Sequence, residues 1–250
     1  MSDGTGAHQD YFAQVGRLLD EIASSEGERI EAAARAVADC IARDGIVHVF
    51  GSGHSHMMAE EVFHRAGGLM AVNAMLDPNL TSFGTLNAGM VERTEGYAKV
   101  VLASFGVRPD EVVIVVSNSG INPVPIELAI EARALGATTI AVTSAAAYAS
   151  AASRHSSGKK LAEVSDLLVD SRVPAGDAVV RIEGMAAAVG ATSTALGAAL
   201  MNAIVVEATA RLQRAGVAPP VIVSMNVPGG DEHNRALTER YRPRLRLLKG

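Results

Sequence analysis

Between residues 9 and 43 apolar side chains recur at helical spacing (Phe12, Val15, Leu18, Leu19, Ile22), and Gly27 with the serines before it interrupts the run, which predicts two helices. A short β-branched stretch, Ile46-Val47-His48-Val49-Phe50, then predicts a strand that runs straight into Gly51-Ser52-Gly53-His54-Ser55 and a further helix. A second strand is expected over 69–75, an irregular stretch over 76–91 with Pro78, Gly84 and Gly89, and a helix around 93–104. Residues 112–116 are Val-Val-Ile-Val-Val, an unbroken apolar run suited to a parallel strand buried on both faces. It ends in Ser117-Asn118-Ser119-Gly120, after which Pro123 opens a helix to Leu135 with Gly136 as its C-terminal cap. Strands are expected again at 138–142, ending in Thr143-Ser144, and at 167–169. The apolar stretch 184–210 reads as a buried helix.

Strands alternating with helices imply an α/β fold, a three-layer αβα sandwich around a parallel sheet with right-handed crossovers. In such a sheet ligands bind beyond the carboxyl ends of the strands, where the strand order reverses. Three strands here end in small hydroxyl residues at that edge, and two of those ends lead into helices. Free backbone N–H groups at a helix start, the positive end of its dipole and nearby hydroxyls together make a phosphate site that needs no Lys or Arg. The alternative for Gly51-Ser52-Gly53 is a dinucleotide loop, but His56 stands where that fingerprint has its third glycine. No Gly-Lys-Ser/Thr string occurs, so a Walker loop is excluded. A plain serine-capped turn remains the bland alternative for either loop taken singly.

Composition narrows the partners. With 48% apolar and 20% charged residues the chain has the make-up of a folded domain, and 250 residues suit one α/β domain over 1–250. A formal charge of −5, without a basic stripe and with few aromatics, argues against a nucleic-acid partner. Cys40 is the single cysteine, set in an Ala-rich helical stretch, and is expected to be a buried structural thiol. No charged-then-apolar leader pattern occurs at the N-terminus and no stretch is expected to cross a membrane, which points to a cytoplasmic protein.

The helix after the first loop carries Glu60 and His64 four residues apart on one face, with Glu61 and Arg65 on the next. Solvated ion pairs are the simple account of such spacing; proximity to the phosphate loop is what raises acid–base chemistry. His54 and His56 fall at the first turn of the same helix, where its positive end favours a neutral imidazole able to act as a base. The His-x-His spacing alone is weak evidence for a metal. The polar cluster Gly229-Gly-Asp231-Glu232-His233-Asn234 reads as a helix start with Asp231 as cap or as part of a site, and residues 154–160 as a basic lip or a solvated loop. A basic tail from Arg240 to Gly250 is expected to be partly loose.

Gly51-Ser-Gly-His-Ser55 opening a helix, with Ser117-Asn-Ser-Gly120 and Pro123 after the third strand, resembles the SIS (sugar isomerase) domain over a core of about residues 30–212. The strings GSGHSHMMAEEVFHRAGG, SNSGINPVPIELA, SRHSSGKK, TSTALGAALMNAIVVE and GGDEHN are similar to an uncharacterised branch of that family whose members are often labelled phosphoheptose isomerases. The resemblance implies a flavodoxin-like sheet, a homodimer or larger homo-oligomer with the N-terminal helices 9–43 at the interface, a C-terminal extension over 213–250, and a phosphorylated sugar as ligand. It implies phosphate contacts from Ser117, Ser119 and Ser55, with Gly53, His54, Asn118 and Asn122 beside them, and Thr192 and Ser193 near the ligand. Phosphoheptose isomerases use His-x-x-x-Glu on the first-loop helix, with a later Gln and His, around zinc. Here Glu61, Arg65 and Asn202 stand at matching positions, so neither metal nor other cofactor is expected.

The chemistry implied is ring opening of an aldose 6-phosphate and removal of the carbon-2 proton. Either reprotonation at carbon 1 (isomerisation) or loss of the carbon-3 group (elimination) follows. The missing zinc ligands favour elimination, namely dehydration of an N-acetylhexosamine 6-phosphate, with Glu61 or Glu60 as base and His64, His56 or His233 as acid. An isomerase is the alternative, and a non-catalytic phosphosugar sensor the third reading.

Overall fold

The computed structural model describes residues 6–82 and 87–248; Gly84 and the last two residues of the expected loose tail lie outside them. Five strands form one parallel sheet: β1 (Val47–Gly51), β2 (Val72–Ala74), β3 (Val112–Val116), β4 (Thr138–Thr143) and β5 (Leu167–Asp170). Their order is β2-β1-β3-β4-β5, so the chain builds outward from β1 in one direction and then in the other. The register sets Val47 beside Val72 and Val112, and Val112 beside Thr138.

Because side chains alternate across a strand, the unbroken valine run of β3 feeds two cores at once. Val112, Ile114 and Val116 join Val47 and Val49 under α1 (Ala7–Ser25), α2 (Gly27–Ala42), α3 (Met57–Val62) and α9 (Ser193–Arg214). Val113 and Val115 join Phe50 under α5 (Tyr97–Phe105), α6 (Pro123–Ala134) and α8 (Leu161–Val164). Each such buried side chain contributes about 1.5–3 kcal/mol. Short α4 (Ala88–Val91) and α7 (Ala145–Ala149) complete these connections. Cys40 is fully buried, its thiol 3.4 Å from the Ile46 carbonyl oxygen, and burial pushes its pKa up to about 11.

Several expectations change. The stretch 184–210 is not one helix: β6 (Ala178–Val180) and β7 (Val189–Ala191) form an antiparallel hairpin, and α9 starts only at Ser193. By length and composition α9 is apolar enough to cross a bilayer, contrary to the sequence reading. Its inward face, with Leu196, Leu200, Met201 and Ile204, packs into the core. Part of the basic C-terminal segment is held against the domain. α10 (Gly230–Tyr241) opens after a left-handed Gly229, with Asp231 in its first turn rather than at its cap. Arg240 pairs with Asp44 and Arg244 with Glu111.

The Arg244 contact completes a buried charge network at the amino-terminal edge of the sheet. Glu111 is 3% exposed and His48 fully buried. The carboxylate takes His48 Nε2 at 3.0 Å, Arg244 at 2.6 Å, and the amides of Ile46 and Arg108 at 3.0 and 2.8 Å. Burial pushes the Glu111 pKa up, but the hydrogen bonds from His48, Arg244 and the Arg108 amide outweigh it and hold the carboxyl at about 2.

A depressed carboxyl pKa stabilises the fold above the unfolded value, and that contribution is lost as pH falls through the folded one. Glu111→Ala is therefore expected to cost about 3 kcal/mol at pH 7. In urea titrations the gap between wild type and variant should narrow as the pH falls from 4.5 toward about 2. A gap that stays constant over that range would show that the charge of Glu111 does not stabilise the fold.

Candidate active site

β1, β3, β4 and β5 run in one direction, so their carboxyl ends share an edge, and the order reverses between β1 and β3. A narrow cleft, with only about 20 Å³ of free space inside it, opens at that edge. His54 and Ser55 contribute from the first loop, Asn118 from the second, Ser171 from beyond β5, and Ser193 and Thr194 from the start of α9. Met58, Val116, Val142 and Val173 supply apolar wall.

Backbone crowding shapes the first loop. A Cβ on Gly51 would lie 2.2 Å from the Ser55 carbonyl oxygen, so only glycine lets the chain fold back there. Gly53 takes φ 54° and its amide donates to the Leu80 carbonyl at 2.7 Å. The second loop is tied to β4 and to residues 154–161. The Asn118 carbonyl accepts from Ser144 N and Thr143 Oγ1, and the Gly120 and Ile121 carbonyls accept the amides of Leu161 and Arg154. Ser117 Oγ accepts the Gly120 amide at 3.3 Å, which leaves its O–H to donate outward. Ser55 and Ser119 are half-buried.

The two loops are joined by a carboxylate that the sequence did not single out. Glu92 accepts from Ser52 Oγ and from Asn122 Nδ2, both at 2.8 Å, and Arg154 donates to Asn122 Oδ1 at 2.8 Å. Asn122 is thus 6% exposed and locked between Glu92 and Arg154 rather than lining the cleft. Thr192 is likewise buried, its hydroxyl on Asp177, and does not line the cleft; Ser193 lines it but donates to Asp177 Oδ2 at 2.6 Å.

α3 stops at Val62, Phe63 turns extended and His64 takes φ 44°, so the expected Glu60–His64 face does not form. His64 lies instead in a separate groove with Asp231 and Asn234. His233 is also set apart from the cleft, its Nε2 on the Val221 carbonyl at 2.9 Å. The acid–base pairing is shifted by one turn. His56 Nδ1 donates to the Gly53 carbonyl at 2.5 Å, and Nε2 stands 3.3 Å from Glu60 Oε1. Glu61 is held by Arg65 and accepts from Asn202 Nδ2 at 2.7 Å. Glu60, Glu61 and His56 line an open groove that shares Met58 and Thr194 with the cleft.

Glu61, Arg65 and Asn202 do come together, but a carboxylate already paired with a guanidinium is no zinc donor set. Among the described residues, Glu95, Glu127 and His155 offer one ligand atom each within 4.8 Å of one another. None of the three lines the cleft. Glu127 takes the Gly96 amide, and the amide and hydroxyl of Ser156 hold the Glu95 carboxyl below its usual range.

Known proteins share this fold. A family model described as the SIS domain matches residues 10–144. The UPF0309 protein of Geobacillus thermodenitrificans is 40% identical over 239 residues, 95% of this chain and 96% of its own. The UPF0309 protein of Listeria innocua is 42% identical over 233 residues, 93% and 94% of the two chains. Among solved structures, a phosphoheptose isomerase from Francisella tularensis superposes with a TM-score of 0.53 at 17% identity, covering 80% of this chain and 95% of that one. The phosphoheptose isomerase from Neisseria gonorrhoeae gives 0.52 at 20% identity, covering 78% and 94%. At these identities the likeness is one of fold.

The close approach at Gly51 gives a direct test of the loop. Gly51→Ala is expected to cost about 1–3 kcal/mol in denaturant titrations. Gly89→Ala, where a Cβ meets nothing within 4 Å inside α4, should be neutral or slightly stabilising. Equal effects at the two sites would mean that the loop tolerates a side chain at Gly51.

Proposed function

The chain belongs to the SIS-domain family and to its UPF0309 branch, and from that premise we propose that it is an enzyme acting on a phosphorylated aldose. The observation that carries this reading is the cleft itself. Ser55 lines it, Ser117 and Ser119 follow β3 just before the start of α6, and beside it lies a groove that holds the Glu60–His56 pair. Backbone and hydroxyl donors there suit a phosphate, and the helix dipole of α6 adds to them.

With the phosphate anchored, the open-chain sugar extends along the cleft past Met58 and Thr194 toward Glu60. Glu60 takes the carbon-2 proton, which the neighbouring aldehyde makes acidic. Its side chain is 45% exposed, and so open to a ligand, while Glu61 is committed to Arg65 and Asn202. His56 returns a proton through Nε2. The finer proposal is that the enol then loses its carbon-3 hydroxyl as water. The enzyme would thus dehydrate an N-acetylhexosamine 6-phosphate such as N-acetylglucosamine 6-phosphate. The lack of a zinc donor set at Glu61, Arg65 and Asn202 supports this fate. The alternative, reprotonation at carbon 1 to give a ketose phosphate, has support in the names of the two solved structures with the same fold. Phe12 on α1 and Val206 on α9, exposed by 69% and 68%, are consistent with a homodimer built on the N-terminal helices.

Incubation with N-acetylglucosamine 6-phosphate in deuterated water, followed by proton NMR, separates these fates. Elimination gives loss of one water and a vinyl signal; an isomerase exchanges deuterium into a plain hexose or heptose phosphate at carbon 1 or 2. Glu60→Gln is expected to lower the rate about 100- to 10,000-fold, and Ser119→Ala to weaken sugar-phosphate binding about 10-fold. Binding without exchange in any sugar phosphate would reduce the protein to a sensor.

A further inference from the structure

Two polar atoms in the cleft have no hydrogen-bond partner among the described residues. Asn118 Oδ1 and Ser171 Oγ are both buried and unbonded, and both residues line the cleft. Ser171 is 6% exposed. Leaving such an atom dry and unpaired costs about 1–3 kcal/mol, so each calls for an occupant that the fold itself does not supply.

Their placement is fixed by the end of β4. The Asn118 carbonyl accepts Thr143 Oγ1 at 3.1 Å on one side, and the Ser171 amide donates to the Thr143 carbonyl at 2.9 Å on the other. The residues flanking Ser171 are clamped as well. Glu26, fully buried between α1 and α2, accepts the Asp170 amide and the Arg172 guanidinium, and Asp170 Oδ1 accepts the Arg172 amide. Val116, Val142 and Val173 form the wall around the two atoms.

We propose that this end of the cleft is a specificity subsite for an acetamido group on the sugar phosphate. The amide N–H donates to Asn118 Oδ1, the amide oxygen accepts from the Ser171 hydroxyl, and the methyl packs on the valine wall. The inference rests on the sugar-phosphate reading above and names the substituent that reading requires. A free ammonium is disfavoured because no carboxylate among the described residues lines the cleft. A carboxylate substituent would face the Asn118 oxygen, itself an acceptor. A lone hydroxyl satisfies the polar atoms but leaves the apolar wall without a partner.

Calorimetric titration of the full chain with N-acetylglucosamine 6-phosphate, glucosamine 6-phosphate and glucose 6-phosphate tests this. The acetamido sugar is expected to bind about 10-fold more tightly than the other two. Ser171→Ala should remove most of that preference by weakening the acetamido sugar more than glucose 6-phosphate, with an unaltered thermal midpoint as the control for folding. Equal binding of all three sugars by the wild-type protein, which needs no variant, would overturn the subsite and leave the sugar-phosphate reading standing. Equal weakening of all three by Ser171→Ala would also overturn it, since Ser171 would then serve the phosphate or the ring. Failure of all three to bind would overturn both.

Discussion

The site depends on how closely β1 can be followed by its own helix. Gly51 lies against the Ser55 carbonyl with no space for a side chain. The first loop therefore curls back on itself within a few residues and presents Ser55 and His54 to the cleft instead of to solvent. Glu92 then fixes this loop to the start of α6 through Ser52 and Asn122. Two loops distant in sequence become one rigid rim, and the ligand side of the molecule inherits its shape from a backbone contact more than from any charged residue.

The two edges of the sheet divide the electrostatic work. At the amino-terminal edge a carboxylate is buried against Arg244 and His48, a costly arrangement that holds only because every oxygen of Glu111 is bonded. At the carboxyl edge the cleft is lined by hydroxyls, an amide, the His54 imidazole and apolar side chains, with no carboxylate or guanidinium among the described residues. Charge there is to come with the ligand. A network fully satisfied at one end and polar atoms left unpaired at the other is the pattern of a fold whose stability and chemistry are kept apart.

The central strands were legible because burial on both faces leaves an unbroken apolar string, as in residues 112–116. The serine loops were legible because they follow such strings directly. What escaped was set by tertiary structure. β6 and β7 are three residues each, too short to show an alternation. The end of α3 turns on His64 accepting a left-handed conformation, and helical spacing alone placed it on the wrong face. Glu92 gives no local signal, since its partners Ser52 and Asn122 lie far away in the chain. Ser171 follows β5 as Ser117 follows β3, so the rule that found the first loops applies to it equally; the strand expected at 167–169 stops two residues short of it.

The link between Glu111 and Arg244 spans 133 residues. On a ribosome adding about 5–20 residues per second, the cation emerges on the order of ten seconds after the carboxylate it neutralises. Until then His48 alone among the side chains can meet that buried charge. The sheet can assemble early, but its lower edge stays electrostatically open. The segment that follows α10 thus acts as a seal, and a nascent chain stalled short of Arg244 would hold a nearly complete sheet with Glu111 still short of its guanidinium partner.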